Sequence, residues 1–175
     1  MPFFFAMYLD QFKDFLAIEK RQSVHTQEAY LRDCEQFQAF LSKEFEGISV
    51  GEVTPMIARQ WMSHLISLSL ALTSVHRKIA SVSAYYRFLM NIGELTRNPF
   101  RMIKKPKIPK RLPQFVEESQ AEQLYEEIEK DTDWSQYRAL TMVRVMYETG
   151  IRRAELLGIE IKDIDFKKGS IRVLG

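Results

Sequence analysis

The sequence predicts a mainly α protein: a four-helix domain over residues 1–97, a basic linker over 98–116, and over 117–175 the helical and β-hairpin opening of a mixed α+β domain. Three observations predict it. Apolar residues recur at three- and four-residue steps through four successive stretches that end by Gly93, the period of helices with one buried face. Pro99, Pro106, Pro109 and Pro113 then punctuate a lysine-rich stretch, and proline at that density excludes both a long helix and a central strand. From Asp163 onward two short β-prone runs flank Lys167-Lys168-Gly169, the pattern of a hairpin.

Leu9, Phe12, Phe15, Leu16 and Ile18 mark a first helix from Tyr8 to Lys20. Ser23 to Thr26 offers N-cap residues for a second, whose apolar face is Tyr30, Cys34, Phe37 and Leu41, joined by Leu31 and Phe40. Thr54 before Pro55 is a cap residue followed by proline at the first helical position; Ile57, Trp61, Leu65 and Leu68 then form a buried stripe. A fourth helix runs from near Thr73 to Asn91-Ile92-Gly93, where glycine supplies a left-handed C-terminal cap. Val75, Ile79, Val82, Tyr86 and Leu89 line its inner side, and Ser74, Arg77, Lys78, Ser81 and Tyr85 form the opposite, polar side. Four amphipathic helices with short connections make a compact domain. Beyond the linker, Gln123 to Lys130 reads as helix with Leu124 and Ile128 one turn apart. Trp134 to Glu148 reads as another, with Leu140, Val143 and Tyr147 inward and a stop at Thr149-Gly150, and Arg152 to Gly158 as a short third. Aromatic residues at helical spacing, Trp61 and Trp134 included, read as core or partner-facing.

Composition is that of a globular chain, 46% hydrophobic and 27% charged, so a buried core is within reach and disorder is disfavoured. The lone cysteine, Cys34, rules out an internal disulfide and leaves no cysteine cluster for zinc. On a buried stripe it reads as an inert small hydrophobe. The apolar start from Met1 to Met7 lacks a basic flank and is interrupted at Asp10, Lys13 and Asp14, unlike a secretory signal. No apolar run approaches the ~20 residues of a membrane helix. The expectation is a cytoplasmic protein with no membrane segment, no metal and no other cofactor.

The net charge of +2 hides an asymmetry. Between Thr73 and Pro113 stand Arg77, Lys78, Arg87, Arg97, Arg101, Lys104, Lys105, Lys107, Lys110 and Arg111 against the single acid Glu94, whereas acids outnumber bases on either side. A basic stripe in a nearly neutral chain is the footprint of a polyanion partner; a solvated lysine-rich linker is the alternative.

These residues resemble a known family. Ser23-Val24-His25-Thr26-Gln27-Glu28-Ala29-Tyr30, followed by Asp33, Phe37 and Leu41, resembles the first DNA-binding helix of Xer-type tyrosine recombinases. Ile79 to Leu89 is similar to that family's Arg-x-Phe-Tyr helix, with Ser83 where many members carry the arginine, so that phosphate contact is absent or supplied elsewhere. Asn98-Pro99 and the basic linker ending in Leu112-Pro113 fit as well. The most specific match is Tyr147-Glu148-Thr149-Gly150-Ile151-Arg152-Arg153-Ala154-Glu155-Leu156, which resembles the box carrying the first catalytic arginine of the tyrosine recombinase and phage integrase superfamily. Asp163 to Phe166 and Ile171 to Gly175 resemble the first strands of its catalytic sheet.

The resemblance implies a SAM-like DNA-binding domain followed by the start of a catalytic domain, in an enzyme whose tyrosine attacks a DNA phosphodiester to give a 3′-phosphotyrosyl intermediate without metal. It implies double-stranded DNA as partner and a homo- or hetero-tetramer on paired sites. Arg152 would clamp the phosphate, since a guanidinium donates two parallel hydrogen bonds and stays protonated. Glu155, three residues on, would support it; a surface ion pair worth ~0.3–0.5 kcal/mol is the alternative. Arg153, about 100° round a helix from Arg152, competes by composition only. Thr26, Ser74, Arg77, Lys78 and Ser81 would face a DNA groove, and Arg101, Lys104, Lys105, Lys107, Lys110 and Arg111 would track phosphates.

In the family a lysine, a His-x-x-Arg box and the nucleophilic tyrosine follow the arginine box. Here His25, His64 and His76 lack an arginine three residues on, and all seven tyrosines precede Arg152. The chain is thus expected to be a fragment that binds DNA without cutting it. A truncated DNA-binding regulator and a helical protein-interaction module remain as competing readings.

Overall fold

The computed structural model describes residues 2–109, 117, 119–123, 126 and 133–173, with 2–7 described by their backbone alone. Lys110, Arg111, Leu112, Pro113, Leu124, Ile128, Leu174 and Gly175 lie outside the described residues. The fold is mainly helical with one small hairpin, and the chain divides into two compact units, Met1–Lys110 and Arg111–Gly175.

In the first unit α1, Pro2–Asp14, runs into a π-helical turn over Phe15–Glu19. Tyr8, Leu9, Phe12 and Leu16 are buried while Ile18 faces outward. The helix α2, Val24–Glu44, starts at Ser23, whose Oγ accepts the Thr26 N–H at 3.3 Å. Such a cap contributes about 1 kcal/mol. The helix α3, Pro55–Ser67, starts in the same way, with Thr54 Oγ1 accepting from the Ile57 N–H at 3.4 Å. Leu68, expected on its buried stripe, is instead exposed: the helix stops at Ser67, and Ser69 at φ +56° redirects the chain.

The helix α4, Leu72–Asn91, packs against α1, α2 and α3. It closes at Gly93, φ +82°, with Gly93 N–H on Met90 O and Glu94 N–H on Leu89 O. This pair of bonds caps the last carbonyls and requires the left-handed backbone that glycine adopts without a Cβ penalty. Its neighbours meet it through aromatic edges, Phe12 to Tyr85 at 5.3 Å and Phe37 to Tyr86 at 6.5 Å, and Phe37 of α2 also meets Trp61 of α3 at 5.6 Å. Tyr86 also donates to Val50 O at 2.9 Å, which ties down the 3₁₀ turn Val50–Glu52.

One expectation is corrected here. Lys78, Ser81 and Tyr85 do not share an outward polar side; they are 7%, 0% and 1% exposed. A helix with neighbours on three sides has little outer face left, so polar residues on it must find internal partners.

In the second unit residues 119–123 are helical and Ala121 is buried. The helix α5, Trp134–Thr149, is capped by Asp133, which accepts the Ser135 N–H at 3.0 Å, and ends at Gly150 in the left-handed conformation, φ +69°. Val143 and Tyr147, expected inward, are 46% and 48% exposed, and Trp134 and Tyr137 stack on each other at 6.0 Å in the open. The short helix α6, Arg153–Leu157, follows. After the 3₁₀ turn Ile161–Asp163, strands β1, Ile164–Asp165, and β2, Ser170–Ile171, pair antiparallel with Ile164 opposite Ile171. Asp165 accepts the Lys167 and Lys168 N–H groups at 3.0 Å, and Gly169 takes φ +61°. Among the described residues no helix is long and apolar enough to cross a membrane, and no group of three or more metal-ligating side chains is gathered.

Candidate nucleic-acid interface

Three of the candidate residues of the first unit meet at one buried carboxylate. Asp33 on α2 is 1% exposed and accepts from three α4 side chains: Arg77 Nη1, Lys78 Nζ at 3.0 Å and Ser81 Oγ at 2.8 Å. Lys78 Nζ also donates to Gln36 Oε1. Lys78 and Ser81 are therefore internal ties between α2 and α4. Arg77 is different, since its side chain is 43% exposed and the remaining guanidinium donors stay available at the surface. Ser74 is half-buried near the start of α4. Thr26, in the first turn of α2, shares its hydroxyl with Ser23 Oγ at 2.9 Å.

The segment after α4 is packed rather than free. Asn98 Nδ2 donates to Ser83 O at 3.0 Å and to Ser83 Oγ at 3.1 Å, and its Oδ1 accepts the Phe100 N–H at 2.9 Å. Phe100 enters the core edge-on to Phe37 at 5.3 Å, and Ile103 packs on the same cluster. Further on, His76 Nε2 donates to Pro106 O at 2.7 Å, and Lys105 Nζ reaches His76 O at 3.4 Å. The segment thus runs back along α4 from Ser83 towards His76 and leaves Arg101, Lys104, Lys105 and Lys107 exposed. Ser83, which stands where many family members carry an arginine, has its hydroxyl engaged by Asn98.

In the second unit Arg152 sits at the N-cap of α6 with extended backbone, φ −73° and ψ 149°, and Arg153 is the first helical residue. The two arginines are therefore separated by the turn from extended to helical backbone, not by one step round a helix. Glu155 is 17% exposed and accepts both the Arg152 N–H at 2.9 Å and Arg152 Nη1 at 2.7 Å, whereas the Arg152 side chain is 82% exposed. Those two bonds, the backbone one first, hold the Glu155 carboxyl below the usual glutamate range. What results is an anchored guanidinium presented to solvent at the start of a short helix. Asp163 is held low in the same manner, chiefly by Arg172 Nη2 at 2.9 Å and then by the Glu160 N–H; that pair locks the hairpin.

Cys34 is fully buried, and burial pushes its thiol up, so it is not a reactive thiolate. Sequence reasoning did not single out the roles of Asp33, Gln36, His76 and Asn98. Asp33 carried a legible signal, being an acid beside the apolar stripe of one helix while the neighbouring helix is rich in bases. His76 and Asn98 act through partners 30 and 15 residues away in the chain, which no local pattern announces.

Known proteins resemble this chain along nearly its whole length. The model for the phage integrase N-terminal SAM-like domain matches residues 9–93, and that for the phage integrase family matches residues 114–175. A tyrosine recombinase XerC of Staphylococcus aureus is 37% identical over 166 residues, covering 95% of this chain and 55% of that protein. A tyrosine recombinase XerC of Staphylococcus haemolyticus is 37% identical over 164 residues, covering 94% and 54%. The chain thus spans about half the length of the curated relatives it matches. Among solved structures, a lambda integrase dimer bound to a COC′ core site has a TM-score of 0.66 at 16% identity, covering 97% of this chain and 47% of that one. The Tn1549 transposon integrase in complex with circular intermediate DNA has a TM-score of 0.61 at 19% identity, covering 91% and 51%. Both share the fold.

Proposed function

The chain belongs to the phage integrase family of tyrosine recombinases, and from that membership we propose that it binds duplex DNA and contributes the phosphate-clamping arginine to site-specific recombination. The observation that carries the reading is the double hold of Glu155 on an otherwise exposed Arg152. A surface ion pair gains little by fixing a long side chain. A guanidinium that must meet developing charge on a phosphate oxygen gains a great deal from being fixed beforehand. In this reading a tyrosine outside these residues attacks the phosphodiester, its oxygen displaces the 5′-oxygen, and a 3′-phosphotyrosyl bond forms. Arg152 donates to the non-bridging oxygens as charge develops on them during that displacement.

Thr26, Ser74 and Arg77 are proposed to face a groove, and Arg101, Lys104, Lys105, Lys107, Lys110 and Arg111 to contact phosphates, the last two lying outside the described residues. Lys78 and Ser81 hold the two helices together instead. The assembly proposed is a recombinase tetramer on paired sites, in the reducing cytoplasm that a lone buried cysteine suits. The test is a mobility shift of duplex DNA by the 175-residue chain over a salt series, with a nicked suicide duplex alongside. Binding that falls steeply with salt and traps no covalent adduct is the expected result. Salt-insensitive binding or none would remove the DNA reading, and a trapped adduct would mean that one of the tyrosines present is a nucleophile.

A further inference from the structure

We infer that His76 is a positioning residue of this interface: by holding Pro106 O it keeps the basic segment 101–107 ordered along α4 before DNA arrives. The inference rests on the DNA-binding reading above and deepens it.

Residues 98–103 are ordered by local turns, the Arg101 N–H donating to Asn98 O and the Ile103 N–H to Phe100 O, whereas the Lys-Lys-Pro-Lys run over 104–107 has no regular secondary structure and its three lysines repel one another. Left to itself such a segment would be extended and mobile. Two attachments lie before the lysines: Asn98 on Ser83, and Phe100 with Ile103 in the core. Beyond them, the His76 imidazole donating to Pro106 O at 2.7 Å closes the segment at its far end. A carbonyl only accepts, so the ring Nε2 carries the proton. Lys105 Nζ lies over the same turn, 3.4 Å from His76 O. Next to His76 in sequence stands Arg77, itself held by Asp33, so one turn of α4 orders both a surface cation of the helix and the adjoining basic segment.

Ordering before binding lowers the conformational cost at the moment of binding. It does not change how many phosphates are neutralised. That separates a positioning residue from a contacting one, because affinity reports both effects while the dependence on salt reports the number of phosphates alone.

The experiment compares the 175-residue chain with His76→Ala, His76→Gln and the triple variant Lys104→Ala/Lys105→Ala/Lys107→Ala. Binding to a fluorescent random-sequence duplex is read by anisotropy over a salt series, and amide exchange is followed at residues 101–107. His76→Ala should weaken binding about 2- to 10-fold, the equivalent of one net hydrogen bond, leave the log–log salt slope unchanged and speed exchange across 101–107. His76→Gln, whose amide can also donate to Pro106 O, should restore both. Unchanged affinity and exchange in His76→Ala, a slope flattened by about 0.9, or no rescue by glutamine would each overturn the inference. If the chain binds with a steep slope while His76→Ala matches it, only this inference falls. If the chain itself does not bind, the DNA reading falls and takes the inference with it.

Discussion

Glu155 accepts two hydrogen bonds from Arg152, one from the backbone N–H at 2.9 Å and one from Nη1 at 2.7 Å. One carboxylate therefore both starts α6 and aims the guanidinium that stands at its N-cap. The arginine lies before the first helical residue, and its side chain stays 82% exposed while its Nη1 is held by Glu155.

Arg152→Ala, in an enzyme carrying this chain together with a tyrosine nucleophile, should leave DNA affinity nearly intact, since one cation among many is removed. Single-turnover cleavage of a suicide substrate should slow by about 100- to 1000-fold, because the missing donor acts where charge develops. Arg152→Lys should rescue little, as ammonium lacks the planar fork, and Arg153→Ala should be mild. A crippling Arg153→Ala beside a normal Arg152→Ala would reverse the assignment.

The Glu155 carboxyl, held low by the Arg152 backbone bond and then by its side chain, gives a signed dependence on pH. A folded value below the ordinary one means that the clasp is fully present above about pH 4.3, the usual glutamate value, and is lost as pH falls through the lowered one. The Arg152 amide and Nε resonances should therefore titrate below that value. Glu155→Gln should abolish the titration, and an Arg152 resonance that still titrates in that variant would dissociate the two residues.

Asp33→Ala should destabilise the first unit by about 3–5 kcal/mol in urea unfolding, because Lys78 would remain buried without its counter-charge. Lys78→Met should cost less, since Asp33 keeps Arg77 and Ser81. A destabilisation under about 1 kcal/mol in Asp33→Ala would mean that water reaches the cluster and relieves the charge.

Replacing Lys104, Lys105 and Lys107 together by alanine should weaken binding to specific and random duplexes by similar factors. The log-affinity against log-salt slope should flatten by roughly 0.9 for each phosphate no longer neutralised. Weakening confined to one sequence would instead make these lysines readers of base edges.

Much of the fold was legible because its signals are local. Ser23, Thr54-Pro55 and Gly93 announce helix ends through bonds spanning no more than five residues, and Gly150 and Lys167-Lys168-Gly169 do the same in the second unit. The contact between Arg152 and Glu155 was legible for the same reason, since they are three apart; the box around them was read from its resemblance to the family. The polar side of α4 was misread because a 3.6-residue period tells which residues share a face but not what stands against it. Lys78 and Ser81 face a carboxylate 45 and 48 residues earlier in the chain.

By itself, then, the sequence determined most helix caps through residues within a turn or two of one another, and the basic stripe and the family through the order of its segments along the chain. Only the tertiary structure decided that Asp33 draws Lys78 and Ser81 inward and that residues 98–107 lie on α4. It also decided that Arg77 stays exposed while Asp33 holds it. Burial and charge pairing depend on which distant segments arrive at a surface, and a helix does not record its neighbours in its own period.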